Sequence, residues 1–381
     1  MKNNNNLELF FALVRAGLWG QTEKKESSVS HFKFQVSCDA DWGEVYRLAE
    51  DQSVIGLVAA GAESTQGSSS IPRPETLRFI GQTLQIEQRN KAMNTFVAEL
   101  ISLLRENDIY AILVKGQGIA QCYEKPLWRA SGDVDLLLND SNYEKAKKLL
   151  VPLASHVETE YSHFKHMGMT IDGWEVELHG TLHSRLSKRV DNVVDEVQGE
   201  VFYGGKVRSW MNGRTQVFLP APDCDVVFLF THILHHYFFE GIGLRQFCDL
   251  CRFLWVYRDA LNVPLLEKHL REMRLMTEWK TLAAFAVDYL GMPVEAMPLY
   301  SADKKWKKKG DRMCRFVIKV GNFGHKQRRN FTGMSYLKQK IFSFWGRLND
   351  MLRHFTVFPM DSIRFFGGVL RSGLHAAVRG E

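Results

Sequence analysis

The chain has little of what marks a stapled or membrane-bound protein. Its six cysteines (Cys38, Cys122, Cys224, Cys248, Cys251 and Cys314) form no disulfide or zinc framework. Cys248 and Cys251 have CxxC spacing, but they lie in an apolar helical run with no second pair nearby and read as buried thiols. That excludes a disulfide scaffold and fits a reducing, cytoplasmic compartment. No run reaches the ~18 uninterrupted apolar residues of a membrane span, so no transmembrane segment is expected. No leader peptide is expected either: in residues 7–19, Glu8 and Arg15 interrupt the apolar positions, which recur at helical spacing. They read as an amphipathic first helix after a disordered Asn tract. Internal repeats are absent, and 45% hydrophobic with 24% charged residues rules out disorder as the main theme. With 381 residues, two or three domains fit better than one.

What the chain does have is uneven charge. Residues 301–381 carry 18 Lys+Arg against 5 Asp+Glu, a net of +13, leaving 31 against 38 in the rest, a net of −7. A basic C-terminal module on a mildly acidic body suits contact with a polyanion: nucleic acid, anionic lipid or a phosphorylated substrate. A basic helical bundle neutralised by the acidic body is the plainer alternative. The run KKWKKK at 304–309 reads as a solvated face.

Hydrophobic periodicity divides the chain into four parts: an N-terminal helical region (1–107), an α/β core (108–220), a helical bundle (221–300) and a basic helical region (301–381). In the first, 75–107 reads as one long helix or two with a break at 88–90, after a Gly/Ser-rich loop at 61–70. Asp140-Ser141 reads as the cap of a helix through Leu150. In the core, Asp172-Gly173 joins two apolar runs and signals a hairpin. Residues 191–219 look irregular and read as strand or loop. The last helices are expected at 336–354 and 362–378. The fold class is α+β: a small mixed sheet of at least four strands between helical regions.

The most informative stretch is 112–138, ILVKGQGIAQCYEKPLWRASGDVDLLL. An apolar strand enters a Lys-Gly-x-Gly turn, and a second strand opens with Asp133 and Asp135. Carboxylates two residues apart on a strand share a face. Such close like charges are costly without a cation between them, and a divalent oxygen-preferring ion, Mg2+ above all, meets the need. The hairpin's second strand adds Glu175, Glu177 and His179 on one face. Two Asp and one of these Glu make the minimal carboxylate cage for two divalent ions.

The pattern K-G-x-x-hydrophobic-A, then Y-x-x-P-x-x-R-x-x-x-D-hydrophobic-D, and later acid-hydrophobic-H resembles the nucleotidyltransferases of the DNA polymerase beta superfamily. Within it the pattern is similar to a bacterial group described only as uncharacterised nucleotidyltransferases. Lys115, Gly116, Ala120, Tyr123, Pro126, Arg129, Asp133, Asp135, Glu177 and His179 carry the match, and LRQFCDL at 244–250 extends it through Arg245 and Asp249. The resemblance implies that Asp133, Asp135 and Glu177 hold two Mg2+ ions, with Mn2+ as a substitute, and that Glu177 rather than Glu175 is the third acid. It implies that the Lys115-Gly116 turn contacts nucleotide phosphates; Gly118 and Arg129 are further nucleotide-binding candidates, and Glu175, His179, Arg245 and Asp249 are candidates for supporting the site. On the residues alone, Arg129 contacts phosphate or orients the Asp pair through a salt bridge, and Arg245 with Asp249 forms an i,i+4 ion pair. His232, His235 and His236 read as core or lining histidines. The superfamily's usual Gly-Ser turn is Lys-Gly here, as it is in abortive-infection toxins of the same superfamily. The implied reaction moves a nucleoside monophosphate from an NTP to a hydroxyl acceptor, a sugar or other small molecule. A toxin-like transferase acting on tRNA, and a nucleotide-binding or regulatory protein whose catalysis has lapsed, are the alternatives. Against the last, a dead site need not keep repelling carboxylates.

Overall fold

A computed structural model describes residues 2–20, 40–64, 71–160, 165–321, 355 and 357–360. The helices expected at 336–354 and 362–378, and Cys38, lie outside these residues. The protein is α+β, with one seven-stranded mixed sheet flanked by helices. Among the described residues no helix is long and apolar enough to cross a membrane.

The chain opens with α1 (Lys2–Trp19), α2 (Trp42–Asp51), α3 (Ile55–Ser64) and α4 (Arg73–Glu106). The Asn tract expected to be disordered is helical, and Asn6 is buried, its Oδ1 accepting the Asp41 amide at 3.0 Å. α4 is a single helix of 34 residues, with no break at 88–90. Asn90 is buried there by tertiary contact, since its amide donates to the Leu127 and Arg129 carbonyls. α1 and α3 meet through small residues: a Cβ on Gly61 would collide with the Leu13 carbonyl. Gly56 lies as close to the Trp128 carbonyl. Gly56→Ala is therefore expected to cost about 1–3 kcal/mol, the usual penalty of overpacking, read as a lower midpoint in urea unfolding. An unchanged midpoint would mean the two segments are not in contact.

The sheet is built from β1 (Ile112–Val114), β2 (Asp133–Leu137), β3 (His156–Val157), β4 (His166–Ile171), β5 (Trp174–His179), β6 (Val207–Asn212) and β7 (Thr215–Pro220), in the order β3-β4-β5-β2-β1-β7-β6. The short helix α5 (Gly116–Ala120) follows β1, and α6 (Asp140–Leu150) follows β2. The α6 cap is Asn139, one residue before the expected pair, and its side chain accepts the Asn142 amide at 2.9 Å. Asp172 and Gly173 both have positive φ (50° and 78°), as the tight hairpin turn between β4 and β5 requires. The segment expected to be irregular holds α7 (Lys188–Phe202) before the β6–β7 hairpin. Ser187 caps α7, and Val190, Val193, Val194, Val197 and Val201 form its buried face.

The C-terminal half continues with α8 (Pro222–Phe239), α9 (Leu244–Val256), α10 (Val263–Met273), α11 (Met276–Leu290) and α12 (Lys304–Val320). Cys248 and Cys251 are buried, unpaired thiols on α9, and burial pushes both up in pKa. The two faces of the sheet have different fates. Val134, Leu136, Val176 and Leu178 pack with α4 and α6 in one apolar core. The alternate residues of the same strands face the helices of the second half, and there the apolar pattern is broken by acids and histidines.

Candidate active site

Lys115 stands where β1 hands over to α5, with φ 57° and ψ −142°. A non-glycine residue holds such a backbone only where its surroundings enforce it, at a cost of about 1–3 kcal/mol. Gly116 follows with φ 37°, and a Cβ there would stand 3.4 Å from the Asp133 carbonyl. The turn aims Lys115 Nζ at Asp135 Oδ1, 2.9 Å away. Gly118 lies apart from the cleft: a Cβ on it would stand 2.7 Å from Leu219 Cδ2.

β2 runs parallel to β5, with Asp133 opposite Glu175, Asp135 opposite Glu177 and Leu137 opposite His179. β4 runs antiparallel on the far side of β5 and sets His166 opposite His179. Asp133, Asp135, Glu177, His166 and His179 thus share the floor of a cleft of about 270 Å³. Helices α8 and α9 supply its wall through His232, His235, His236, Arg245, Gln246 and Asp249. Glu175 shares the strand face but not the cleft; it is exposed and its Oε1 accepts the Thr170 hydroxyl at 3.0 Å. Sequence reasoning passed over His166, although His166, Gly168 and Thr170 alternate with Met167, Met169 and Ile171 in a period-two signal.

The floor is a compact ionic network. His179 Nε2 lies 2.8 Å from Asp135 Oδ1 and 3.3 Å from Glu177 Oε2, and His166 Nε2 lies 3.1 Å from the same Glu177 oxygen. Repulsion from Asp135, then burial, raises the Asp133 carboxyl above the usual range. Burial would raise Asp135 too, but the Lys115 ammonium and His179 outweigh it and hold Asp135 low. Burial likewise opposes the Glu177 charge, and hydrogen bonds from His166 and His179 reverse this and hold it well below the carboxylate range. For Lys115, burial is more than offset by Asp135 and Glu177, so its ammonium is favoured. In His179, burial is outweighed by the bonds to Asp135 and Glu177, and the pKa rises.

Arg129 lines the cleft, but its salt bridge goes to α9 and not to the Asp pair. Its guanidinium is buried against Asp249 on α9, with Nε to Oδ1 at 3.0 Å and Nη2 to Oδ2 at 2.7 Å. The Tyr123 hydroxyl donates to the same Asp249 at 2.8 Å, and Arg129 Nη1 donates to the Ser131 hydroxyl at 2.7 Å. Asp249 is therefore committed to Arg129 and not to Arg245 one turn earlier. Arg245 donates instead to the Ala130 carbonyl at 3.0 Å, and among the described residues it forms no ion pair. Its guanidinium, at the rim of the cleft, has spare donors beside Asp133.

Acids from two parallel strands, a lysine at a strand-to-helix turn and a helical wall with an arginine meet in one cleft, an arrangement able to hold cations and phosphate groups. A family described as "Uncharacterised nucleotidyltransferase" matches residues 39–291, and the chain belongs to that family. The match spans α2 to α11, the whole sheet included, and ends before α12. No curated protein and no solved structure matches the chain.

Proposed function

We propose that this cleft transfers a nucleoside monophosphate from a nucleoside triphosphate to a hydroxyl acceptor, by the two-metal chemistry of the DNA polymerase beta superfamily. One observation carries the reading: Asp133 and Asp135 on β2 and Glu177 on the neighbouring β5 open onto one cleft beside Lys115. Asp133 is the residue that asks for a cation, because its neighbour's charge raises it and Lys115 is bonded to Asp135 instead. Asp133, Asp135 and Glu177 would hold Mg2+, with Mn2+ as a substitute; when bound, the ions activate the acceptor hydroxyl and stabilise the leaving pyrophosphate. Lys115 and the amides of the turn at Gly116 meet the triphosphate as point charge and donors. Arg245, with donors to spare, reaches the same phosphates. Arg129 and Asp249, bonded to each other at the edge of the cleft, position the segment that enters β2.

A second cleft of about 180 Å³ lies across Arg129 and Arg245, lined also by Ser64, Lys125 and Trp128. Its size and mixed lining suit a small polar acceptor such as a sugar. The tRNA reading draws support from α12, which begins with exposed Lys304, Lys305, Lys307 and Lys308 and no acid in its first turn. Cations at a helix N-terminus oppose the helix dipole, although Asp303 caps α12 and pairs with Lys305.

Two measurements test the reading. Glu177→Gln is expected to lower pyrophosphate release roughly a hundredfold or more, as loss of one charge-stabilising group does, while Glu175→Gln stays within about twofold. A large loss with Glu175→Gln while Glu177→Gln stays near the parent would return the choice to Glu175. The acceptor is found by offering four α-labelled triphosphates with a cell extract and tracking the labelled fraction: small molecules for the favoured reading, tRNA for the other. Label in no fraction with any triphosphate would overturn both.

A further inference from the structure

The two imidazoles on the cleft floor are more than supports for Glu177. His166, His179 and Glu177 form a cluster in which one ligand atom from each lies within 4.8 Å of the others. The contacts that meet at Glu177 Oε2 are 3.1 and 3.3 Å, and Asp135 Oδ1 lies 2.8 Å from His179 Nε2. An ion with bonds of about 2.0–2.2 Å sets neighbouring tetrahedral ligands roughly 3.3 Å apart, so little has to move to admit one. Both nitrogens converge on one carboxylate oxygen, the arrangement that two donors and one acceptor take when a cation can replace their protons.

The donor set also discriminates. Mg2+ takes oxygen ligands and water, whereas imidazole nitrogen suits zinc, manganese and their neighbours. We infer that the His166–Glu177–His179 corner of the cleft, completed by Asp135, is a binding site for a nitrogen-coordinated divalent transition ion, taken by Zn2+ more tightly than Mn2+ and by Mg2+ only weakly. The transition ion would take the Glu177 side of the two-ion cage in place of one Mg2+, sharing Asp135. Asp133 keeps the oxygen-only side for a Mg2+ that arrives with phosphate. That the transition ion works in catalysis rests on the nucleotidyl-transfer reading; that it binds does not.

Other histidines need to be told apart from this corner. His232 and His236 touch through Nε2 at 3.1 Å on the opposite wall, and His235 lies 3.2 Å from Glu240. Among the described residues one further cluster has metal-ligand spacing, Glu196, His269 and Glu272, and both of its acids are exposed.

The test is binding, without nucleotide, to the full chain stripped by a chelator. Zn2+, Mn2+ and Mg2+ are titrated in competition with a chromophoric chelator, and Co2+ is added as a spectroscopic stand-in. One Zn2+ per chain in this corner is expected, with His166→Gln and His179→Gln each weakening it on the order of tenfold to a hundredfold. His166→Gln should also change the Co2+ ligand-field bands, which a purely structural role would leave alone. A triple variant of His232, His235 and His236 to Gln, and His269→Gln, should each keep the affinity within about twofold of the parent, far short of the loss expected at a ligand. Zn2+ affinity no higher than that for Mg2+, or a loss that follows the triple or His269 variant instead, overturns the inference. Zn2+ bound through His166 with no nucleotidyl transfer under any ion would leave this site standing and remove the functional reading; transfer with Mg2+ and no Zn2+ site would do the reverse.

Discussion

Asp133→Asn is expected to lower nucleotidyl transfer by about a thousandfold, roughly 4 kcal/mol of transition-state stabilisation, and to raise the stability of the metal-free protein. Both effects have one cause. Asp133 carries a charge beside Asp135 that Lys115 and Arg245 offset only in part, since Lys115 Nζ is bonded to Asp135 and the Asp133 carboxyl stays above the usual range. Without a cation the charge is a burden, and asparagine removes it at nearly constant volume. With triphosphate and metal present, the same charge is what the reaction uses. Activity is read as pyrophosphate release and stability as the thermal midpoint in chelator. The sign of the second change separates this reading from simple damage, because a variant that lost activity by misfolding would melt earlier. Activity within tenfold of the parent would remove Asp133 from the site.

The largest loss of stability is expected at Arg129 and Asp249. Their bidentate pair is buried on both sides, joins the loop before β2 to α9 and takes the Tyr123 hydroxyl as a third member. Removing one partner of such a pair leaves the other charge buried and unmatched, which costs about 3–5 kcal/mol. Arg129→Ala and Asp249→Ala should each show this in urea unfolding. The double variant Arg129→Met with Asp249→Leu should lose less than either, because no charge is stranded. Since Arg129 sets the entry to β2, all three should also show a weaker response to metal. Single variants within about 1 kcal/mol of the parent would be the behaviour of an exposed pair and would contradict the burial.

What could be read in the sequence followed from local periodicity. The Asp pair and the Asp-Gly hairpin are period-two signals, and they placed β2, β4 and β5 with their acids on one face. The choice of Glu177 over Glu175 came from resemblance; in the structure Glu177 lies in the cleft and Glu175 outside it, although both stand on one strand face. The valines of α7 favour strand by propensity, yet their spacing of three and four is helical and the buried face outweighs it. The β6–β7 hairpin turns through Gly213-Arg214, with Gly213 at φ 61° and Asn212 still paired with Thr215. The partnership of Arg129 with Asp249 spans 120 positions, and nothing local reports it. Arg245, one turn before Asp249, offered a nearer partner that the packing of α9 against Arg129 rules out.

The most direct measurement of nucleotidyl transfer at this cleft uses one triphosphate labelled in turn at the α- and the γ-phosphate. It is incubated with the full chain, divalent ion and the extract fraction that contains the acceptor. Label from the α-phosphate should appear on the acceptor and label from the γ-phosphate in pyrophosphate, in equal amounts, and both should vanish with Asp133→Asn. Transfer of the γ-label to the acceptor, or α-label transfer that survives Asp133→Asn, would contradict nucleotidyl transfer at Asp133, Asp135 and Glu177.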